Sequence, residues 1–587
     1  MKKSFSIFLM FFTFLGLKAQ QKEQKIDTVK TEVVNVVTKY NPKIADAKKI
    51  KKNPTISLLE KNEKKKLKYT IQSAPVASTF IPKSGAVKGI KIGSKEFIYD
   101  NYVAAGYGNY GTPYFEAFLG KIDRYNNEFQ LSTKYLSSTN NLKDIVLNSN
   151  YTNFDINASY KKIDHYFDWK VILNSERDVY NWYGLPDITY TETTINNIDE
   201  EQIYNYFNAK GEFTFNDSYI DYIHLNTSYF ADTYKSAEVL IKLNSKLDLP
   251  VYLFNRDFND IALYSSLELL NGKFKNSYNV DDEIKYSIFT INLNPNYNME
   301  YLGITFNAGV NVAASFDSEN SSNNFYVLPE LIIQSPIVEE YLNIYGGFTS
   351  NLHTNTYKQF TEENPYISPT QSISQTLETS NLFVGFNGKI SRDFNFNIKL
   401  SSKKEENKPL FLRNYSKSNG TTNTYNGINL NGYEYGNSFS VYYDDVKTTT
   451  LFTELEYEYS DYLTLGVQGI YNNYKLENAT ENWNLPTVEA SFSAKYKEDK
   501  WFASTNIFYV SERKDALYSG LFTGEINDVE TVDAFVDVNL NGGYHFNDQF
   551  SAFLKLNNVL NTNYQRFANF NTQGFQILGG VTYKFDF

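Results

Sequence analysis

Leu302-Gly303-Ile304-Thr305-Phe306-Asn307-Ala308-Gly309-Val310-Asn311-Val312-Ala313-Ala314-Ser315-Phe316-Asp317 is the stretch that decides the fold. Every even-numbered position is apolar (Leu, Ile, Phe, Ala, Val, Val, Ala, Phe), and the positions between them are small or polar. A period of two puts the two sets on opposite faces of a strand. Strands in soluble proteins run about 5–6 residues, and this one is far longer. A tilted strand needs about 9–11 residues to cross the hydrocarbon layer of a bilayer. Only a closed barrel crosses without unpaired edges. The apolar face then meets lipid and the polar face a wet lumen.

The same alternation recurs through the body of the chain. Val488, Ala490, Phe492, Ala494 and Tyr496 interleave with Glu489, Ser491, Ser493, Lys495 and Lys497. Val532, Ala534, Val536, Val538 and Leu540 interleave with mostly polar residues, with Phe535 as an exception. Turn signals between such runs predict 22 strands from 96 to 586, among them 145–161, 284–297, 301–316, 394–404, 447–459 and 531–546. Connectors mostly alternate between short ones (Ser391–Asp393, Ser460-Asp461, Asn547-Asp548) and long ones (181–201, 354–376, 405–446, 513–530). An even strand number with short turns at one end and long loops at the other predicts an all-β, closed, antiparallel, up-and-down transmembrane barrel. A soluble solenoid, sandwich or propeller fits poorly, because strands this long and evenly amphipathic have no inner sheet to pack against.

Composition agrees. The 587 residues include 49 Tyr and 45 Phe but three Met and no Cys. A sheet without a solid apolar core needs little Met, while Tyr and Phe at strand ends form interfacial girdles. The lack of Cys excludes disulfide scaffolds, thiolate metal sites and cysteine nucleophiles. Met1–Ala19 reads as a cleaved signal peptide, with Lys2 and Lys3 before an apolar run and Lys18-Ala19-Gln20 at its end. Residues 20–95 carry 18 Lys, no Arg and 6 acidic residues, a basic arm of +12, whereas 96–587 carry a net −26. In an exported chain without Arg clusters this arm does not read as a nucleic-acid binder.

Gly106-Tyr107-Gly108-Asn109-Tyr110-Gly111 has the spacing of a dinucleotide loop, but Thr112-Pro113 leads into another strand instead of a helix, so it reads as a hairpin. Acidic clusters at Asp199–Glu201, Asp281–Glu283, Glu405-Glu406 and Asp444-Asp445 fall in expected connectors and lack calcium-loop spacing. His165, His224, His353 and His545 suggest no catalytic set. Neither a metal, a cofactor nor an enzymatic activity is read from the sequence.

The last residues, Gly580-Val581-Thr582-Tyr583-Lys584-Phe585-Asp586-Phe587, resemble the terminal signal that hands bacterial outer-membrane barrels to their insertion machinery, through Tyr583, Phe585 and Phe587. Before them, Asn557-Asn558-Val559-Leu560-Asn561-Thr562-Asn563-Tyr564 resembles the N-L-F-N-x-x-Y segment near the end of TonB-dependent receptors. The style of the sequence, rich in Asn, Lys, Tyr and Phe, resembles proteins of Bacteroidetes, flavobacteria in particular. The resemblance spans 96–587. It implies an outer-membrane location with both termini in the periplasm, contact with membrane lipid, and uptake of an unidentified small-molecule ligand. Glu32-Val33-Val34-Asn35-Val36-Val37 resembles a TonB box, implying TonB as a partner; a surface lipoprotein is a further expected partner. Its β-branched residues favour the extended state required for strand addition. The family's folded plug exceeds what the 76 residues of the arm can form, so the arm, over Lys43–Lys91, is expected to fill part of the lumen. The alternative is a barrel that does not transport and serves as scaffold or assembly partner in a membrane complex.

Overall fold

The computed structural model describes residues 101–586 apart from 124–126, 254–255, 280–281 and 519–523. Among these residues, 22 strands form one antiparallel sheet. Sequence neighbours pair throughout, and the first strand, Asn101–Gly108, pairs on its other edge with the last, Gln576–Phe585, in register from Asn101↔Phe585 to Gly108↔Leu578. Closure leaves no open edge, so every strand's backbone donors and acceptors face a partner strand.

The deciding stretch behaves as its pattern requires, with one shift. The strand is Ile304–Asp317, and Leu302-Gly303 is the two-residue turn joining it to Ile284–Tyr301. Both turn residues have positive φ, 52° and 75°. This is the backbone twist that favours two-residue hairpins. Leu302 is 83% exposed at the tip; it was expected inside a strand over 301–316. Within the strand, Val310 and Phe316 are exposed on the outer face, while Gly309, Ala313 and Ser315 are buried on the inner one.

Exposed side chains sort by height. Leu173, Leu225, Leu267, Val310, Val384, Leu451, Val467 and Leu554 form an aliphatic band. Tyr166, Tyr219, Tyr301, Tyr341, Tyr459, Tyr462, Trp501 and Phe546 ring the turn end, and Tyr107, Phe115, Phe154, Phe316 and Phe325 lie toward the loop end. This is the lipid face with two aromatic girdles that the composition implied.

Several boundaries move. Residues 145–150 belong to a connector, because pairing begins at Tyr151. Residues 405–446, expected as a connector, are strand at both ends: Phe394–Arg413 pairs with Phe439–Ser460 past a bulge between Glu405 and Lys408. Glu405-Glu406 and Asp444-Asp445 therefore lie on strands, and the loop is 414–438. A strand of 22 residues reaches roughly 70 Å at about 3.3 Å per residue, far beyond the hydrocarbon layer, so this hairpin projects well past the loop end of the lipid band. Alternation fails as a guide there because both faces leave the lipid. The connector at 513–530 contains a hairpin outside the barrel sheet, Arg513–Tyr518 with Ile526–Val532. That hairpin ends at Val532, and the barrel strand expected over 531–546 begins only at Phe535. Phe535 is buried and stacks on Tyr564 at 4.1 Å, which explains its exception to the pattern.

Candidate functional site: a knitted loop cap over a polar lumenal chamber

At the turn end the connectors are short, whereas at the other end they fold into a cap. Its centre is Trp182, Tyr183, Tyr357, Phe360, Tyr366, Ile367, Tyr433, Tyr435, Phe439, Phe567 and Phe570, all buried. These residues come from four loops and adjoining strand ends far apart in sequence. Tyr366 and Phe570 stack at 3.7 Å, Tyr183 meets Phe570 edge-on at 5.1 Å, and Trp182 meets Tyr433 at 5.4 Å. The polar tips of these rings are used as well, as buried Tyr and Trp require. Trp182 Nε1 donates to the Tyr366 carbonyl at 3.1 Å, Tyr183 OH to the Asn571 carbonyl at 2.8 Å, and Tyr204 OH to the Pro365 carbonyl at 2.9 Å. Burial pushes the Tyr357 and Tyr278 hydroxyls well above their ordinary values and Tyr435 up to about 12, so all three remain neutral donors.

Cationic side chains tie the cap to its surroundings. Arg566 Nη2 donates to the Glu363 carbonyl at 2.8 Å, and Arg513 reaches the Gln565 carbonyl at 2.7 Å and that of Arg566. Arg413 pairs with Glu530 at 2.6 Å, holding the outer hairpin against the long strand Phe394–Arg413. Lys358 bonds Glu176 on the wall at 2.6 Å and lies 4.8 Å from the Tyr206 ring centre. Burial by itself lowers the Lys358 ammonium, but Glu176 and Glu362 outweigh it and hold the group above its ordinary value.

The Asn557–Tyr564 segment now has a physical account. Asn558, at φ 46°, is fully buried. Its Nδ2 donates to the carbonyls of Thr562 and Gln573 at 2.8 and 3.0 Å, and its Oδ1 accepts from Thr562 N at 3.0 Å. Asn561 Oδ1 accepts from Phe575 N at 2.8 Å, and Tyr564 OH reaches Asp537 at 3.1 Å. The motif is the knot that closes the last loop, and Asn suits it because it tolerates positive φ while bonding local backbone.

Beneath the helix Tyr357–Glu363 lies a cavity of about 730 Å³ inside the barrel. Its wall comes from strands between Ile220 and Arg413, through Tyr222, His224, Lys242, Asn244, Tyr264, Ser266, Glu268, Asn292, Asn294, Asn311, His353, Lys403, Glu405 and Lys408; Gln359 and Glu363 of the helix form its roof. The volume lies within the roughly 300–1,000 Å³ of small-molecule sites. Lys242 pairs with Glu268 at 3.0 Å, and Glu405 with Lys403 at 2.8 Å and Lys408 at 2.7 Å. The described residues hold no group of three or more potential metal ligands.

The residues singled out in the sequence fall elsewhere. Tyr583 and Phe585 lie on the outer face of the closing strand, their rings 6.0 Å apart and nearly parallel. Glu32, Val33, Val34, Asn35, Val36, Val37 and Phe587 lie outside the described residues, as do the leader and the basic arm. Sequence reasoning missed the cap and the chamber. Trp182-Tyr183 and Tyr433–Tyr435 were the available signal for the cap, since bulky aromatics inside a long connector ask for burial. The chamber's signal was the run of Asn at inward positions.

No family model matches the chain, and no curated protein matches it. Solved structures do. The ferripyoverdine receptor of the outer membrane of Pseudomonas aeruginosa matches with a TM-score of 0.59 at 11% identity, over 83% of this chain and 72% of that one. The FrpB iron transporter of Neisseria meningitidis matches with a TM-score of 0.58 at 11% identity, over 83% and 81%. The ferric-catecholate import receptor Fiu of E. coli K12 gives 0.57 at 8%, over 83% and 82%. At such identities the likeness carries architecture alone, and that architecture is shared: this chain closes a 22-stranded antiparallel barrel.

Proposed function

We propose that this chain is an outer-membrane receptor barrel that takes up a small polar molecule, with its short turns and both termini in the periplasm and its loop cap facing outward. The carrying observation is the closed barrel whose outer loops pack into a cap over a polar chamber of small-molecule size. The receptor and transporter roles of the structures sharing the fold support the reading. Energy enters through Glu32–Val37, which adds as a strand to the exposed sheet edge of a TonB-type partner.

The test is Val34→Pro, which removes one backbone donor from that segment. Uptake-dependent growth is expected to fall while the amount of protein in the outer membrane stays normal. Unaltered growth would overturn coupling through this segment. A scaffold role is the second reading, favoured by the dense hydrogen bonding and ring stacking of the cap, which make a well-ordered docking surface. Native purification with a stoichiometric partner and no growth defect in the deletion strain would select it.

A further inference from the structure

The chamber wall presents acceptors without donors. Ser266 Oγ, Glu268 Oε1 and the Oδ1 atoms of Asn292, Asn294 and Asn311 are buried and find no hydrogen-bond partner among the described residues. Glu268 is 7% exposed, and its other oxygen is the one held by Lys242. An unsatisfied buried acceptor is costly, and five of them lie on the wall of this one cavity. Two of them, Ser266 and Asn292, are directly paired, within a longer polar row. Asn244 faces Ser266 and Ser266 faces Asn292 across three adjacent strands, with Lys242 facing Glu268 one step further along. Neighbouring strands lie about 4.8 Å apart, a spacing comparable to one ring along a saccharide chain.

Charge narrows the ligand class. Lys242, Lys403 and Lys408 are matched by Glu268, Glu363 and Glu405, so the ionic side chains of the lining cancel. A strongly anionic chelate would need a cationic excess, and a cation would need free carboxylates. Flat apolar surface is present as well: Tyr222 and His224 stack at 4.4 Å on the wall, a platform for the C–H face of a sugar ring.

Resting on the receptor reading above, we infer that the chamber binds a neutral polyhydroxylated molecule of short-oligosaccharide size, its hydroxyls donating to Ser266, Glu268, Asn292, Asn294 and Asn311. The full-length protein in detergent is titrated calorimetrically with maltotriose, cellotriose, xylotriose and N-acetylchitotriose, and with ferric citrate as a charged chelate. At least one saccharide is expected to bind, and ferric citrate is not. Asn294→Leu and Asn311→Leu should each weaken that binding tenfold or more. Asn541→Leu removes an amide oxygen that is equally unpartnered but lies outside the chamber, and should leave binding unchanged. Heat-modifiable gel mobility confirms that each variant folds. The inference is overturned if none of the four saccharides binds, if ferric citrate binds more tightly than all of them, or if the chamber variants bind like Asn541→Leu. Binding in detergent needs no energy partner, so failure of the Val34→Pro test leaves this result standing, and failure here leaves uptake of some other ligand intact.

Discussion

Glu238 on the barrel wall holds the start of the cap helix through Tyr357: its Oε2 accepts the Tyr357 N–H at 2.7 Å while Oε1 accepts that of Lys358 at 3.2 Å. Tyr286 OH donates to the same carboxylate at 2.8 Å, and Tyr357 OH runs on to Asp232 at 2.9 Å. The first backbone donors of a helix have no partner within it, so a wall carboxylate at this point fixes the roof of the chamber to the barrel.

Glu238→Ala should therefore release the roof before it harms the barrel. Hydrogen bonds to a charged group contribute about 1.5–3 kcal/mol each, and three are lost. Limited proteolysis at Lys358 is expected to accelerate at least tenfold with heat-modifiable mobility unchanged. Glu238→Gln, which keeps an acceptor, should fall between. Equal cleavage rates in all three proteins would show that the helix is held by its aromatic contacts alone.

Gly432 sits where loop 414–438 meets the Asp199 carbonyl of loop 182–200, and a Cβ there runs into that oxygen. Gly432→Ala should push the loops apart, at about 1–3 kcal/mol as for other overpacked sites. The readout is hydrogen exchange at the Trp182 backbone amide, which is held by the Glu200 carbonyl at 2.9 Å. Gly469→Ala, where a methyl meets open space, serves as the neutral control.

Asp515 makes the outer hairpin sensitive to pH. It is fully buried, its Oδ1 accepts from the backbone of Arg413 and Ala516, and its Oδ2 has no partner among the described residues. Burial pushes this carboxyl up to about 6, against the opposing pull of Arg413. Arg513, Glu530 and Asn484 are the other polar groups packed around this network. A folded value above the unfolded one means that the contribution is fully present below the unfolded value and is lost as pH rises through about 6. Amides of Arg513–Tyr518 should exchange more slowly at pH 5 than at pH 7.5 after correction for intrinsic rates. Asp515→Asn should flatten that difference; an unchanged profile would assign the dependence to another group.

Val310 and Asn311 are neighbours on opposite faces of one strand. Val310, 38% exposed toward lipid, should cost about 2–4 kcal/mol when replaced by Arg near the midplane. Asn311→Arg places the charge in the polar lumen and should be milder. The heat-modifiable fraction after insertion measures both, and equal losses would place Val310 outside the bilayer.

The strands were legible because their signal is local. Whether Phe306 and Val310 face lipid while Asn307 and Asn311 face the lumen depends on the period of the backbone, so one strand can be read without its neighbours. The reading slipped where lipid no longer separates the faces. Residues 405–413 and 439–446 stay paired beyond the membrane, and their pattern, with Lys408-Pro409 and Asp444-Asp445, looked like a connector. Leu302 was read as strand because nothing in its side chain announces a positive φ.

By itself, the sequence determined the strand number, the lipid face, the aromatic girdles and the hairpin at Gly106–Gly111, since each follows from alternation and turn chemistry within a few residues. The tertiary structure alone decided the cap and the chamber. Tyr183 bonds the Asn571 carbonyl across 388 positions of sequence, and Trp182 that of Tyr366 across 184. Asn244, Ser266 and Asn292 become one row only once three strands settle into register. Contacts of that range leave no periodic trace in the chain, because which loop meets which is fixed by closure of the barrel and not by any segment's own preference.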